Sequence, residues 1–423
     1  MSRRVVITGL GILSSLGAGK DQFMRNLFLQ ETPLAPVPAS FERHHTFSSR
    51  YYVPFSLPSP SDFGVPKHHQ CFMQDVHSIA IIAAKMALED AGVPITQDGK
   101  AFRVEGLSDC GACIGTGFLG LHEVFVSMLA HVAGEDGPVA SLVPEDIRYN
   151  RLIVPIMMPN SVAAWVSILF GLRGSCFTMN ASCASGTMAI GEAYRRIRDG
   201  YEPAALAGGV ECLKDKWGSV MRGFDVLGTL TRSEDGKPVP FSRKRSGFLF
   251  AEGGGCILVL EELEHARKRA ARIYAEIADY RSNCDAHSIL QMEAGGLMIR
   301  KLLEELKGDR TIDYLNCHGT GTIANDAIEA QAIRQVFGGK ASQPYIDATK
   351  GIVGHTIGAS GALEAAVAAY SIKESRIHGS EVTDPIEDLN LAPCNQPLPI
   401  RYAISTSYGF GGHNAGLLFR KHE

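Results

Sequence analysis

Apolar and polar positions along the chain follow two rhythms. Residues 4–8, RVVIT, are a β-branched run that predicts a buried strand, and the Gly-rich stretch 9–17, GLGILSSLG, reads as the turn after it. Residues 74–92, QDVHSIAIIAAKMALEDAG, put apolar side chains at helical spacing and end at a glycine, the signal of a capped helix. A strand is expected at 109–117, a helix opened by Pro159 and Asn160 at 158–172, and a strand at 174–181. From Ala184, ASGTMAIGEAYRRIRDG predicts a helix closed by Gly200. Strands at 203–210 and 254–261 precede a charged helix at 262–272. From 274 the order begins again. YAEIADYRS is a strand, 294–307 a helix, YLNCHGTGT a strand and turn, and 325–337 a helix. A small-residue helix at 359–374 and two strands at 401–408 and 414–419 close the chain.

Strands alternate with helices throughout, so the fold class is α/β. The second part repeats the general order of the first. This predicts two similar layered halves, 1–260 and 261–423, split near 258–273. No hinge rich in Pro, Gly or Ser separates them, so they are expected to pack on each other.

Composition narrows the function. Of 423 residues, 45% are hydrophobic and 20% charged, ordinary for a soluble globular protein. The formal net charge is −4, and no basic face or tail is visible, which argues against nucleic acid as a partner. The most basic stretch, SRKR at 242–245, reads as a solvated loop. The ten cysteines are irregularly spaced. The N-terminal MSRRVVITGLG has no apolar signal region, and no apolar run approaches the ~20 residues of a membrane span. A cytoplasmic protein with reduced thiols and no membrane insertion is expected.

Three motifs invite a chemical reading. GLGILSSLG begins like a dinucleotide fingerprint, but Ser14 stands where the third glycine belongs, so a tight strand-to-helix turn is the better reading. Cys110 and Cys113 have redox spacing but sit in a Gly-rich strand, and they read as small buried residues. Cys183, in NASCASGT, differs. It lies where a strand meets a helix N-terminus, whose free N–H groups and partial positive charge lower a thiol pKa. Alone it would read as an inert buried cysteine. Two distant histidines change that. His318 stands in NCHGTGT and His355 in TKGIVGHTIGASG, each at a strand end before a Gly-rich turn, and a third such turn is SYGFGGHN.

ASCASG, NCHGTGT, KGIVGH and GFGGHN, in this order, resemble the β-ketoacyl-acyl-carrier-protein synthases, the elongating condensing enzymes of fatty acid and type II polyketide synthesis. The resemblance runs from VVITGLG to FGGHN and includes GFLFAEGGGCILVLEELEHA. It implies the thiolase fold, two βαβαβαββ halves in a five-layered α-β-α-β-α core, and a dimer. It implies decarboxylative condensation of a Cys-bound acyl chain with malonyl-acyl carrier protein, with no cofactor or metal beyond the carrier's phosphopantetheine. Cys183 would be the nucleophile. His318 and His355 would stabilise the enolate. Lys350 and Glu329 would form a buried organising pair, with Asp326 an acidic neighbour. The N–H groups of Cys183 and Phe410 would form the oxyanion hole. Thr320 and Thr322 would bind the pantetheine arm, and Phe410 and Phe224 would gate the acyl tunnel.

The chain departs from that pattern in places. PKHHQCFMQD, with Lys67, stands where a basic run is usual, and Gly228 where an arginine is common, which leaves carrier docking to bases such as Arg222 or to a partner subunit. DAHSILQME at 285–293 replaces a Thr- and Pro-containing loop at the pantetheine entrance. Segment 130–151 is longer than in fatty-acid members, and Met157, Met158 and Trp165 are expected at the far end of the acyl pocket, pointing to a specialised acyl chain such as a polyketide or polyene. Three other readings compete with this one. A chain-length partner subunit usually lacks the nucleophile, which is present here. A papain-like hydrolase would carry a CGSCW-type signature, and this chain has none. A CoA-dependent thiolase would place a second cysteine near GFGGHN.

Overall fold

The computed structural model describes residues 3–43, 45–119, 121–132 and 149–423. The first five main strands are β1 (Val5–Ser14), β2 (Gly111–Gly115), β3 (Cys176–Met179), β4 (Ala204–Cys212) and β5 (Gly253–Glu262). The last five are β6 (Ala275–Cys284), β7 (Tyr314–Asn316), β8 (Tyr345–Asp347), β9 (Tyr402–Gly409) and β10 (His413–Arg420). Across the sheet the order is β8-β7-β9-β10-β6-β1-β5-β4-β2-β3. Counted outward from the centre, each set runs first, fifth, fourth, second, third. The sets meet where Val5–Ile7 pair antiparallel with Ala275–Ile277.

Helices complete the layers. They are α1 (Asp75–Asp90), α2 (Ser161–Phe170), α3 (Ser185–Arg198), α4 (Ser219–Val226), α5 (Leu297–Lys307), α6 (Ile323–Phe337) and α7 (Ser360–Glu374). The helices α3 and α7 each pack on strands of both sets and on each other, forming the middle layer. Twelve of the fifteen residues of α7 are buried, so its alanines and glycine let two sheets close on one helix pair. The outer faces carry α1 with α2, and α5 with α6. The result is the five-layered core expected from sequence. Among the described residues, no helix is long and apolar enough to cross a membrane.

Two local expectations need correction. Gly9 and Gly11 do not form a turn; β1 runs through them to Ser14, and the turn comes at 15–16. Their smallness serves packing instead. A Cβ on Gly9 would lie 2.2 Å from Ala87 O of α1, and one on Gly11 1.8 Å from Ala83 O. The SRKR stretch is not simply a solvated loop. Arg245 is 9% exposed and donates to the carbonyls of Ser242, Thr322 and Ile323. The short strand β8 and helix α4 went unpredicted, because each is too brief for a periodic signal. Cys110 and Cys113 are buried as expected, and all ten cysteines are free thiols. Most of segment 130–151, residues 133–148, lies outside the described residues.

Candidate active site

Cys183 sits in a single 3-10 turn, Ser182–Ala184, between β3 and α3. Ser182 holds the left-handed φ of 52°, a conformation that costs a non-glycine residue about 1 kcal/mol or more. Ser185 clamps the turn, its Oγ accepting from Ala181 N at 2.9 Å and donating to Ser182 O at 2.6 Å. The second half repeats the device. His355 precedes the turn Ile357–Ala359, Ile357 has φ 46°, and Ser360 Oγ accepts from Thr356 N at 3.0 Å. The two turns bring Cys183 and His355 together across the middle layer.

The protonation of both imidazoles follows from their partners. His355 Nδ1 accepts from Ile357 N at 3.2 Å and lies 2.9 Å from Ser360 Oγ. Its proton is therefore on Nε2, which donates to Cys183 Sγ at 3.2 Å. His318, just past the end of β7, accepts at Nδ1 from Lys350 Nζ at 3.2 Å, so its Nε2 also carries the proton. The two rings lie 5.6 Å apart at 84°. Burial pushes both imidazoles well below their ordinary range, and the Lys350 charge acts in the same direction. The donor atoms of Cys183, His318 and His355 lie within 4.8 Å of one another, close enough to share a cation. Two protonated Nε2 atoms beside an ammonium make the set a donor array rather than a ligand set.

This assignment has a direct test. An imidazole depressed below its ordinary 6.5 stays neutral as pH falls through that value. Nitrogen NMR of labelled histidines is expected to show both rings in the Nε2–H form from about pH 8 to about pH 6. A midpoint near 6.5 for either ring, or the Nδ1–H form, would contradict it.

The thiol itself departs from expectation. Burial pushes the Cys183 pKa up, and the Ser182 hydroxyl and the Lys350 charge only oppose that rise.

The expected Lys350–Glu329 ion pair is not formed. Lys350 Nζ pairs instead with Glu364, one side chain 2% and the other 1% exposed. Glu364 comes from the second turn of α7, and burial pushes its carboxyl up to about 7. Glu329 holds backbone. It accepts from His318 N and Gly319 N, both at 2.9 Å. Asp326, one helical turn earlier on α6, accepts from Phe241 N at 2.7 Å and Gly321 N at 3.1 Å. The two carboxylates thus fix the turn that carries His318, Thr320 and Thr322, whose hydroxyls lie 2.9 Å apart. Glu364→Ala is expected to lower stability by about 3–5 kcal/mol, because it strands a buried ammonium. Thermal melts of Glu364→Ala and of the double variant Lys350→Met/Glu364→Leu check this, the double being the more stable of the two.

A cavity of about 520 Å³ opens on these groups. Cys183, His318, His355, Thr320, Thr322, Phe224 and Phe410 all line it, so the structure brings together every predicted site residue except Lys350 and Glu329, which stand behind the histidines. Phe118, Phe224 and Phe248 wall it beside the thiol, with ring centres 6.3 Å and 5.4 Å apart. Phe410 follows Gly409, which abuts the Cys183 backbone; a Cβ there would lie 3.1 Å from Cys183 N and 2.6 Å from Ala181 O. Met157 and Met158 are exposed, and Trp165 packs against His69 and Phe72, so none of the three lines this cavity.

Sequence reasoning missed Glu364 and Glu211. Glu211 is the penultimate residue of β4, and its carboxylate accepts from Gly117 N at 2.8 Å, Phe118 N at 3.1 Å and Gly358 N at 3.0 Å. It ties the loop after β2 to the His355 turn. In both cases the available signal was a single charge inside an apolar run, AALAGGVEC or the Ala-rich ALEAAVAA, where a carboxylate survives burial only with partners.

Comparison with known proteins agrees with this geometry. Residues 2–266 match the family model "Beta-ketoacyl synthase, N-terminal domain", and residues 274–383 match "Beta-ketoacyl synthase, C-terminal domain". A 3-oxoacyl-[acyl-carrier-protein] synthase 2 from Staphylococcus aureus is 34% identical over 435 aligned positions, covering 100% of this chain and 99% of the relative. A type II polyketide ketosynthase, solved in complex with its acyl-carrier protein, superposes with a TM-score of 0.82 at 26% identity over the full length of both chains. The ishigamide ketosynthase/chain length factor superposes with a TM-score of 0.83, also at 26% identity and full coverage. The chain belongs to the beta-ketoacyl synthase family and has its thiolase fold.

Proposed function

We propose that this chain condenses a Cys183-bound acyl group with malonyl-acyl carrier protein to give 3-oxoacyl-acyl carrier protein. One observation carries the reading: two buried neutral imidazoles present Nε2–H groups to the space above one thiol. In the first step Cys183 sulfur attacks the acyl thioester; the new C–S bond replaces the old one, and the carrier leaves with the thiol proton. The oxyanion of that step is held by the N–H groups of Cys183 and Phe410. In the second step malonyl carrier loses CO2, and the electron pair of the broken C–C bond becomes an enolate. Its oxygen is held by His318 and His355 through Nε2–H, while Thr320 and Thr322 bind the pantetheine arm. In the third step the enolate carbon attacks the acyl carbonyl, a C–C bond forms, and the Cys183 thiolate leaves.

Lys350 acts through His318, by fixing its tautomer, and Glu329 by fixing its backbone. Phe224 and Phe410 stand where a gate between thiol and acyl tunnel is needed. Residues 1–260 would supply the nucleophile and 261–423 both histidines. The substrates arrive on phosphopantetheine, and the reaction as written needs no further cofactor and no metal. A cytoplasmic enzyme working as a homodimer, or as a heterodimer with a ketosynthase-like subunit, fits the likeness to ketosynthases solved with a carrier protein and as a chain length factor pair. A chain-length subunit role is not favoured, because the complete donor array would then have no use. The test is release of labelled CO2 from malonyl carrier together with 3-oxoacyl product. CO2 without product, even with acylated enzyme supplied, would refute condensation.

A further inference from the structure

Phe224, which lines the cavity with Cys183, is packed so that it cannot swing away alone. Its ring centre lies 6.3, 5.4 and 6.1 Å from those of Phe118, Phe248 and Phe250, and the residue is buried. A ring hemmed in by three others moves only with its backbone. That backbone is the last turn of α4. Asp215 fixes the start of α4, accepting from Ser219 N at 3.0 Å and Val220 N at 3.1 Å. The far end has little apolar anchorage, because Val226 and Leu227 are 70% and 46% exposed.

Asp225 holds that end. Its side chain is buried and reaches a segment 180 residues earlier in the chain. The carboxylate accepts from His45 Nε2 at 2.7 Å, from Ser48 N at 3.2 Å and from Ser48 Oγ. Burial acts to raise its pKa, but the bonds from Ser48 and His45 prevail and hold it below its ordinary value. Hydrogen bonds to an ionised carboxylate are roughly twice as strong as neutral ones. The segment that supplies them is itself fixed. The His45 ring stands edge-on to Phe47 at 4.8 Å and 88°. Phe47 is buried in the same apolar cluster as Cys183 and Phe224. Farther along, Val53 N donates to Phe250 O at 2.8 Å, and Glu252 N donates to Val53 O at 3.0 Å. Asp225 thus latches the end of α4 to a rigid neighbour.

An acyl chain longer than the space beside the thiol has to displace Phe224. We infer that the Asp225 latch, made with His45 and Ser48, is a positioning device that holds Phe224 beside the thiol and biases Cys183 toward short acyl groups. The inference rests on the condensing reaction proposed above. His45, Ser48 and Asp225 are not among the residues that line the cavity, so they act through Phe224.

The test follows Cys183 acylation over time by intact mass, with acetyl and dodecanoyl carrier thioesters, in His45→Ala, Ser48→Ala and Asp225→Ala. The rate with dodecanoyl relative to acetyl is expected to rise about tenfold in Asp225→Ala, which loses every bond of the latch, and less in the other two. His45→Gln keeps an N–H donor and should stay close to wild type. CO2 release from malonyl carrier depends on the two active-site histidines and should not change in any of these variants. On a Phe224→Ala background the same substitutions should leave the ratio where Phe224→Ala alone puts it, because the latch acts through that ring. Should Asp225→Ala fail to fold, His45→Ala and Ser48→Ala carry the same comparison. An unchanged ratio in the folded variants would overturn the inference. So would a full additional shift on the Phe224→Ala background. An equal fall of acylation by both thioesters and of CO2 release would mark a merely structural role and overturn it too. Wild-type protein that is neither acylated nor releases CO2 would instead fail the proposed reaction, a result distinct from failure of the latch.

Discussion

Replacing Cys183 by alanine is expected to lower 3-oxoacyl product formation by a factor on the order of 10⁴ or more, the scale seen when a covalent nucleophile is removed. The loss should be selective. Cys183 Sγ lies 3.2 Å from His355 Nε2, but the imidazole's orientation is set on its other side, by Ile357 N and Ser360. His318 is oriented by Lys350. Neither ring depends on the sulfur for its tautomer. The alanine variant should therefore keep the enolate-stabilising donors and continue to release CO2 from malonyl carrier. Loss of both activities together would mean that the sulfur organises the histidines, contrary to the geometry.

Replacing either histidine should lower CO2 release, and His318→Ala should give the opposite pattern to Cys183→Ala. In the proposed mechanism His318→Ala and His355→Ala each remove one Nε2–H donor from the enolate oxygen, and each is expected to slow CO2 release about 10²–10³-fold. In the proposed mechanism acylation of Cys183 uses the separate backbone donors of Cys183 and Phe410, so His318→Ala should still be acylated. His355→Ala should be acylated more slowly, because the N–H···S bond that favours the thiolate is gone and burial already disfavours it. Stopped-flow acylation and CO2 release, measured on both variants, separate the two roles. Equal loss of both steps in His318→Ala would contradict the division of labour.

Much of this was readable from the sequence, for physical reasons that differ by element. The helix at 74–92 declared itself through periodicity and its glycine end, and the structure adds a capping box between Gln74 and His77. Cys183, His318 and His355 were legible because small residues surround each, and small residues are needed where two backbones and a substrate converge. What stayed hidden was pairing across the fold. The family resemblance paired Lys350 with Glu329, yet Lys350 meets Glu364 because α7 enters the middle layer directly behind the histidines. Glycines were read as turns in GLGILSSLG, where they make room for α1. A glycine required for conformation and one required for space look alike in one dimension. Arg245 was read as solvated because a charge run usually is, and only the folded turn at 320–323 shows the carbonyls it satisfies.

The measurement that bears most directly on the central claim is intact mass spectrometry after incubation with a mixture of acyl carrier thioesters, on the wild type and on Cys183→Ala. The wild type is expected to gain the mass of one acyl group, mapped by peptide analysis to 180–187, and the variant to gain none. An adduct of the same mass on Cys183→Ala, or on any of the other nine cysteines of the wild type in place of Cys183, would contradict the account.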